Sequence, residues 1–179
     1  GRGGMAEVFL AKHAVLKRPT AVKVLSNVNP DAAAIARFER EARLACRLGH
    51  PNTIQIFDYG ETPEGKLYYA MEFVEGVNLG QLMAMEGRLP VARAVHLLRQ
   101  VAGPLAEAHA LGLIHRDLKP SNVMVCSRGG LGDVVKVLDF GIASVSTPGQ
   151  DDFTRSVQIV GTPAFLAPER IHDPKTLDP

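Results

Sequence analysis

The hydrophobic pattern of this chain changes character near Gly76, and that change limits the folds open to it. Before that point, short apolar runs separated by turn residues predict strands. After it, apolar residues spaced three and four apart predict a long helix with one buried stripe: Val91, Ala94, Leu98, Val101, Leu105 and Ala108. Strands are expected at 7–11, 20–25, 53–60 and 66–74, and helices at 31–48, 78–87 (capped by Asn78) and 90–111. A further strand pair, NVMVC at 122–126 and VVKVLDF at 134–140, is expected around the Gly-rich turn at 128–132. The chain is therefore expected to be an α+β protein with a strand-rich first part and a helix-rich second part.

The composition excludes several classes of protein. The 179 residues include 20 Lys and Arg against 19 Asp and Glu, so the net charge of +1 gives no electrostatic case for nucleic-acid binding. No apolar run reaches the roughly 18 residues of a membrane span. Cys46 and Cys126 lack a CxxC spacing and are interpreted as free, buried thiols of a reducing compartment. A cytoplasmic location is expected, with a membrane anchor outside this stretch left open.

A dense polar cluster, LIHRDLKPSN at 113–122, follows the long helix. The carboxylate of Asp117 can accept a proton from an attacking hydroxyl, and Lys119 can neutralise charge on a transferring phosphoryl group. Asn122 can supply an oxygen to a hard cation such as Mg²⁺. An ordinary polar turn would explain one Asp and one Asn, but not the whole ordered string, so the cluster favours a catalytic site.

Three other features carry chemistry only in combination. Asp139 closes an apolar strand and precedes Phe-Gly, where its oxygens could face a metal, although many strands end in this way. Glu41 falls on the same helix face as Phe38, where an unpaired carboxylate is costly, so we expect it to pair with Lys23. The glycines in residues 1–8 suit either phosphate binding by backbone N–H groups or a simple hairpin turn.

In this order, followed by GTPAFLAPE at 161–169, these features resemble the protein kinase family over essentially the whole chain. The resemblance implies a two-lobed α+β fold with an N-lobe at 1–73 and a C-lobe at 74–179. Lys119 and GTPAFLAPE are similar to the Ser/Thr-specific branch, and the GGMAEV start looks like bacterial kinases of the Hanks type. The implied reaction is transfer of the ATP γ-phosphoryl group to Ser or Thr hydroxyls of proteins in signalling.

The resemblance also implies roles for individual residues. Asp117 would be the catalytic base and Lys119 a γ-phosphate contact, while Asn122 and Asp139 would hold Mg²⁺. Lys23 would hold the α- and β-phosphates, oriented by Glu41. The residues implied to bind ATP come from the Gly-rich loop, the strands, the gatekeeper Met71 and the hinge at 72–74: Gly1, Gly3, Gly4, Val8, Ala21, Lys23, Glu41, Met71, Glu72, Val74 and Met124.

Regulation is implied by the arginine directly before the catalytic aspartate. Kinases with an arginine at the position of Arg116 often depend on a phosphate in the activation loop that pairs with it. Thr154 and Ser156 are the candidate phosphosites, with the alternative that they are ordinary polar loop residues, and Thr162 would help to shape the acceptor site. Dimerisation for trans-autophosphorylation is left open.

The sequence departs from the family pattern in one loop and at both ends. Ala6 replaces the third glycine of the Gly-rich loop, a small change that costs some loop freedom. The chain begins at the first glycine, so the strand before it is missing, and it ends ten residues after Glu169, before several helices that the resemblance implies. It is therefore interpreted as a kinase domain truncated at both ends, whose folding and turnover in isolation are left open.

Two other functions remain as alternatives. One is a pseudokinase that binds nucleotide or partners without catalysis, which is disfavoured because Lys23, Asp117, Asn122 and Asp139 are all present. The other is a small-molecule phosphotransferase of similar fold, such as an aminoglycoside kinase. The strings HRDLKPSN and GTPAFLAPE fit a protein substrate better.

Overall fold

The computed structural model describes residues 2–3, 6–28, 30–140 and 163–165. In the first part of the chain, five strands form one antiparallel sheet in the order β1-β2-β3-β5-β4. Their bounds are Arg2–Gly3 (β1), Ala6–Lys12 (β2), Pro19–Val28 (β3), Ile56–Glu61 (β4) and Lys66–Glu72 (β5). The four predicted strands are confirmed; β1 was not predicted, because two residues are too few to show an alternating pattern.

Helix α1 (Ala32–Ala45) supplies the apolar face that covers this sheet. It begins after Asp31, whose carboxylate accepts a hydrogen bond from the backbone N–H of Ala34 at 2.7 Å. Phe38 is completely buried and meets the ring of Tyr59 edge to face, with 6.0 Å between the ring centroids. The apolar stripe that predicted this helix is therefore the surface that attaches it to the sheet.

The second part of the chain combines helices with a smaller sheet. Asn78 caps α2 with a capping box in which its side chain and that of Gln81 each accept a backbone N–H of the other residue. The antiparallel hairpin predicted around the Gly-rich turn at 128–132 is confirmed, and a short unpredicted strand joins it. The elements are β6 (Gly76–Asn78), α2 (Leu79–Glu86), α3 (Val91–Ala110), β7 (Val123–Arg128) and β8 (Leu131–Val137), with 3₁₀ turns at Pro120–Asn122 and Pro163–Phe165.

Helix α3 packs against β8, and the apolar stripe that its sequence predicts is buried at Val101 and Ala108 but not in the first turns of the helix. The expected stripe included Val91 and Leu98, which are exposed in the structure. The buried side chains are Leu97, Val101, Pro104 and Ala108. This prediction was wrong for its first turns because Ala, Val and Leu are spread around the helix and several faces fit the spacing.

None of the helices in the described ranges is long and apolar enough to cross a membrane.

Backbone hydrogen bonds join the two parts beside the end of β8. The N–H of Ile54 donates to the carbonyl of Val137 at 3.0 Å, and the N–H of Val137 donates to the carbonyl of Asn52 at 2.7 Å. The segment before β4 is thus tied to the strand that leads into Asp139.

Both cysteines are free, but Cys46 is exposed just after α1, so the prediction that it is buried was wrong.

Candidate active site

The three polar residues singled out at 113–122 contact one another. The ammonium of Lys119 lies 2.7 Å from Oδ2 of Asp117. The side-chain amide of Asn122 donates to the backbone carbonyl of Asp117 at 2.8 Å and to its Oδ2 at 3.3 Å. These contacts hold the carboxylate of Asp117, and its side chain remains about 30% exposed. We call Asp117, Lys119 and Asn122 the catalytic loop.

A buried histidine connects this loop to the strand end that carries Asp139. His115 donates from Nε2 to the carbonyl of Leu138 at 2.8 Å, and its Nδ1 faces the backbone N–H of Asp117 at 3.4 Å. Burial lowers the pKa of His115, so the ring is neutral and carries its proton on Nε2. The N–H of Leu138 also donates to the carbonyl of Asn122 at 2.9 Å. His115 therefore packs behind the catalytic loop, against Leu138.

Two predicted site residues have left-handed backbone conformations, although neither is glycine. The φ angle is 63° at Arg116 and 61° at Asp139. Such conformations are uncommon for residues with a Cβ and persist only where the surroundings enforce them. With these conformations, Arg116 reaches Glu41 on α1 and Asp139 reaches Lys23 and Tyr69 in the large sheet.

The carboxylate of Asp139 is held by two side chains from the large sheet. Nζ of Lys23 lies 2.7 Å from Oδ2, and the hydroxyl of Tyr69 donates to Oδ1 at 2.5 Å. Lys23 and Tyr69 are direct cross-strand neighbours on β3 and β5. Burial, and then the negative charge of Asp139, raise the pKa of Tyr69 well above its usual value, so the hydroxyl keeps its proton and donates it.

The expected ion pair between Lys23 and Glu41 does not form in this structure. Oε1 of Glu41 lies 2.6 Å from Nη1 of Arg116, while Lys23 is on Asp139. Glu41 does face inward and does take a cationic partner, as its position on α1 predicts. The partner was wrong because the left-handed backbone at Arg116 brings its guanidinium to α1, a conformation that helical spacing cannot reveal.

The other side chains expected to bind ATP lie on adjoining strands. In the register of the sheet, Val8 on β2 is opposite Lys23, and Ala21 on β3 is opposite the buried gatekeeper candidate Met71. Met124 is half-buried on β7. Gly3 ends β1, and Val74 follows β5 in the expected hinge. Gly1, Gly4, Thr154, Ser156, Thr162 and Glu169 lie outside the described residues.

The start of the expected hinge is anchored by two cations that sequence reasoning missed. Glu72 pairs through Oε2 with Lys136 at 2.9 Å and through Oε1 with Arg128 at 2.5 Å. Lys136 is buried and also donates to the carbonyl of Thr53 at 3.1 Å. Burial alone would raise the pKa of Glu72, but the hydrogen bond to Lys136 and the charges of Lys136 and Arg128 lower it. The only sequence signal was a lysine inside an otherwise apolar strand.

The residues expected to hold Mg²⁺ fit that ion. The amide nitrogen of Asn122 is used by Asp117, which leaves the amide oxygen as its free ligand atom. Asp139 provides carboxylate oxygens one residue beyond the Leu138 N–H that bonds to Asn122. An amide oxygen and a carboxylate form the hard, all-oxygen donor set that Mg²⁺ prefers.

Comparison with known proteins identifies the family. The chain belongs to the protein kinase domain family, whose sequence model matches residues 1–179. It is 43% identical over 173 residues to the serine/threonine-protein kinase pkn3 of Myxococcus xanthus, covering 95% of this chain and 32% of that protein. It is 39% identical over 174 residues to PknB of Mycobacterium tuberculosis, covering 95% of this chain and 27% of that protein.

Solved structures agree with the fold. The kinase domain of Mycobacterium tuberculosis PknI matches with a TM-score of 0.70 and 39% identity, over 80% of this chain and 56% of that chain. The two-lobed α+β kinase fold and the similarity to bacterial serine/threonine kinases are therefore confirmed. The chain spans about a third or less of the length of these two curated relatives.

Proposed function

We propose that this chain is the catalytic part of a serine/threonine protein kinase that transfers the γ-phosphoryl group of ATP to protein hydroxyls. The observation that carries the proposal is the catalytic loop, in which Asp117, Lys119 and Asn122 contact one another. Asp139 is tied to the same loop through the bond between Leu138 and Asn122. Positioning of this kind is most of what an enzyme contributes to phosphoryl transfer.

In the proposed reaction, Asp117 orients the acceptor and takes its proton. The Ser or Thr oxygen forms a new bond to the γ-phosphorus while the bond from that phosphorus to the bridging oxygen breaks, and ADP leaves. The hydroxyl proton passes to the Asp117 carboxylate. Lys119, 2.7 Å from that carboxylate, is placed to neutralise charge on the phosphoryl oxygens as they pass.

Mg²⁺, when bound through Asn122 and Asp139, would neutralise charge on the ATP phosphates. The residues of the chain then have separate tasks. Lys23 would exchange its contact with Asp139 for the α- and β-phosphates. The hinge backbone after Glu72 would read adenine, with Glu72 fixed by Lys136 and Arg128.

We propose further that phosphorylation of Thr154 or Ser156 controls whether Lys23 leaves Asp139 for the ATP phosphates. Arg116 is paired with Glu41 in the structure, at 2.6 Å. A phosphate carries up to two negative charges and three acceptor oxygens, so it would compete with the Glu41 carboxylate for the guanidinium. Glu41 would then become available to Lys23. The phosphate would be delivered by a second copy of the protein acting in trans.

The test of activity uses labelled ATP with two kinds of acceptor. Incubation with generic proteins and with a panel of small molecules that includes aminoglycosides should label only the proteins, and hydrolysis should release phosphoserine or phosphothreonine. Label confined to a small molecule would replace the proposal with the small-molecule phosphotransferase. Nucleotide binding without any transfer would replace it with the pseudokinase.

The test of regulation is phosphosite mapping by mass spectrometry after incubation with Mg²⁺ and ATP. Phosphate is expected on Thr154 or Ser156, and the double substitution of both residues by alanine should lower the rate on an added substrate. Equal rates for the unsubstituted protein and the double variant would contradict the regulatory role and leave the activity itself intact.

A further inference from the structure

The hydroxyl of Tyr69 makes a contact that the proposed reaction does not use. The side chain is 1% exposed on the buried face of β5, between Leu67 and Met71 in the alternation of the strand. Its hydroxyl donates to Oδ1 of Asp139 at 2.5 Å. Tyr69 lies 70 positions from Asp139 in the chain, so the contact depends on how the sheet is set against the end of β8.

Packing alone does not require this hydroxyl. A phenylalanine would fill nearly the same volume and would need no hydrogen-bond partner, whereas a buried tyrosine hydroxyl must find one. Here the partner is the carboxylate expected to bind the metal. Asp139 also has a left-handed backbone, with φ of 61°, so outside contacts determine where its oxygens point.

The two groups that hold Asp139 differ in mobility. Lys23 has a charged head on a flexible four-carbon stem, and the proposed function moves that head from Oδ2 to the ATP phosphates. The hydroxyl of Tyr69 is fixed to a rigid, buried ring. Because each carboxylate oxygen has its own lone pairs, Oδ1 can keep the bond from Tyr69 while Oδ2 changes partner.

We propose that Tyr69 is a positioning residue for the metal site: its hydroxyl anchors Oδ1 of Asp139 and so orients the carboxylate for Oδ2 to exchange Lys23 for Mg²⁺. The inference rests on the proposed function, since it takes Asp139 as a metal ligand. Hydrogen bonds from neighbouring groups to metal-binding carboxylates have this orienting role in other sites, and their loss weakens metal affinity by roughly 10- to 100-fold.

The experiment compares Tyr69→Phe with Tyr68→Phe. Tyr68 is the adjacent residue on β5, points to the opposite face and lies against Gly60, so the control removes a hydroxyl from the same strand. Calorimetry gives the affinity for a non-hydrolysable ATP analogue with and without Mg²⁺. The ratio of the two affinities measures the contribution of the metal, and it does not depend on turnover.

Tyr69→Phe should reduce this ratio by about 10-fold or more and leave metal-free affinity within about two-fold of the unsubstituted protein, whereas Tyr68→Phe should keep the ratio. Under turnover, the Mg²⁺ concentration for half-maximal rate should rise by a similar factor, with little change in the rate at saturating Mg²⁺. In an Asp139→Asn background, Tyr69→Phe should have no further effect on the ratio.

An unchanged ratio in Tyr69→Phe would overturn the role of Tyr69 and leave the proposed function standing. A fall in metal-free affinity equal to the fall with Mg²⁺ would show that the hydroxyl only supports the fold, which also overturns the proposal. No enhancement by Mg²⁺ in the unsubstituted protein would instead contradict the metal role of Asp139 and the proposed function with it.

Discussion

The candidate active site contains two lysine–aspartate pairs of equal length that are held in different ways. Lys119 and Asp117 are 2.7 Å apart and two residues apart in the chain, with both side chains about a quarter exposed or more. Lys23 and Asp139 are also 2.7 Å apart, but they are separated by 116 positions and are only 12–13% exposed. The first pair needs only its own loop, while the second needs the sheet to be docked against β8.

The two pairs differ in which contacts are local and which depend on the packing of the sheet. In the catalytic loop, the bonds from Asn122 to Asp117 lie within one short segment and involve no residue of the large sheet. The distant groups, by contrast, form the pairs Lys23–Asp139 and Glu41–Arg116, although the family pattern expects Lys23–Glu41. The local cluster therefore depends on its own loop, and the distant one depends on how the sheet and α1 meet the segments that carry Arg116 and Asp139.

The largest effect should come from loosening the helix that carries Glu41. Phe38→Ala removes a completely buried ring from the contact between α1 and the sheet, and we expect the free energy of unfolding to fall by about 3–5 kcal/mol. Phe9→Ala, at a half-exposed position on β2, should cost much less. Urea unfolding measures both, and equal losses would show that α1 is not attached through Phe38.

The next prediction compares how much stability is lost when each of the two lysines is replaced. Lys23→Met leaves the largely buried Asp139 without its cation, so we expect a loss of stability of about 1–3 kcal/mol. Lys119→Met breaks the more exposed pair and should cost less than about 1 kcal/mol.

Both lysine variants should lose most of their kinase activity, because each lysine is expected to contact phosphate. Thermal unfolding and initial rates measured on the same preparations separate the two effects. A larger loss of stability in Lys119→Met than in Lys23→Met would contradict the contrast between a local and a distant pair.

A smaller effect on stability is expected from pH. It acts through His115, which links the catalytic loop to the strand end that carries Asp139. Burial lowers the pKa of His115, so below the unfolded value of about 6.5 the unfolded chain binds a proton that the folded chain does not. Its contribution to stability is therefore complete above about pH 6.5 and is lost as the pH falls from there towards the lower folded pKa.

Thermal unfolding between pH 8 and pH 5 tests this sign. His115→Gln can keep the bond to Leu138 without the titration, so its midpoint should fall less than that of the unsubstituted protein. His96→Gln, at an exposed position on α3, is the matched control and should follow the unsubstituted protein. Identical slopes in all three proteins would show that His115 does not titrate on unfolding.

The separation along the chain between contacting residues also explains which features the sequence could predict. The strands, α1, the cap at Asn78 and the β7–β8 hairpin follow from local periodicity and turn residues, and the catalytic loop follows from an ordered string within ten positions. The partner of Glu41 was wrong, and the bonds from Tyr69 to Asp139 and from Lys136 to Glu72 were missed. Each joins residues more than 60 positions apart, where only the packed structure decides which charges meet.

The most direct test of the account is the rate of phosphoryl transfer by Asp117→Asn at saturating Mg²⁺ and ATP, with nucleotide affinity measured on the same protein. The substitution keeps the shape of the side chain in the catalytic loop and removes its ability to take a proton. We predict a rate lower by about 10²- to 10⁴-fold with nucleotide affinity within about two-fold. An undiminished rate would show that the catalytic loop does not carry the chemistry.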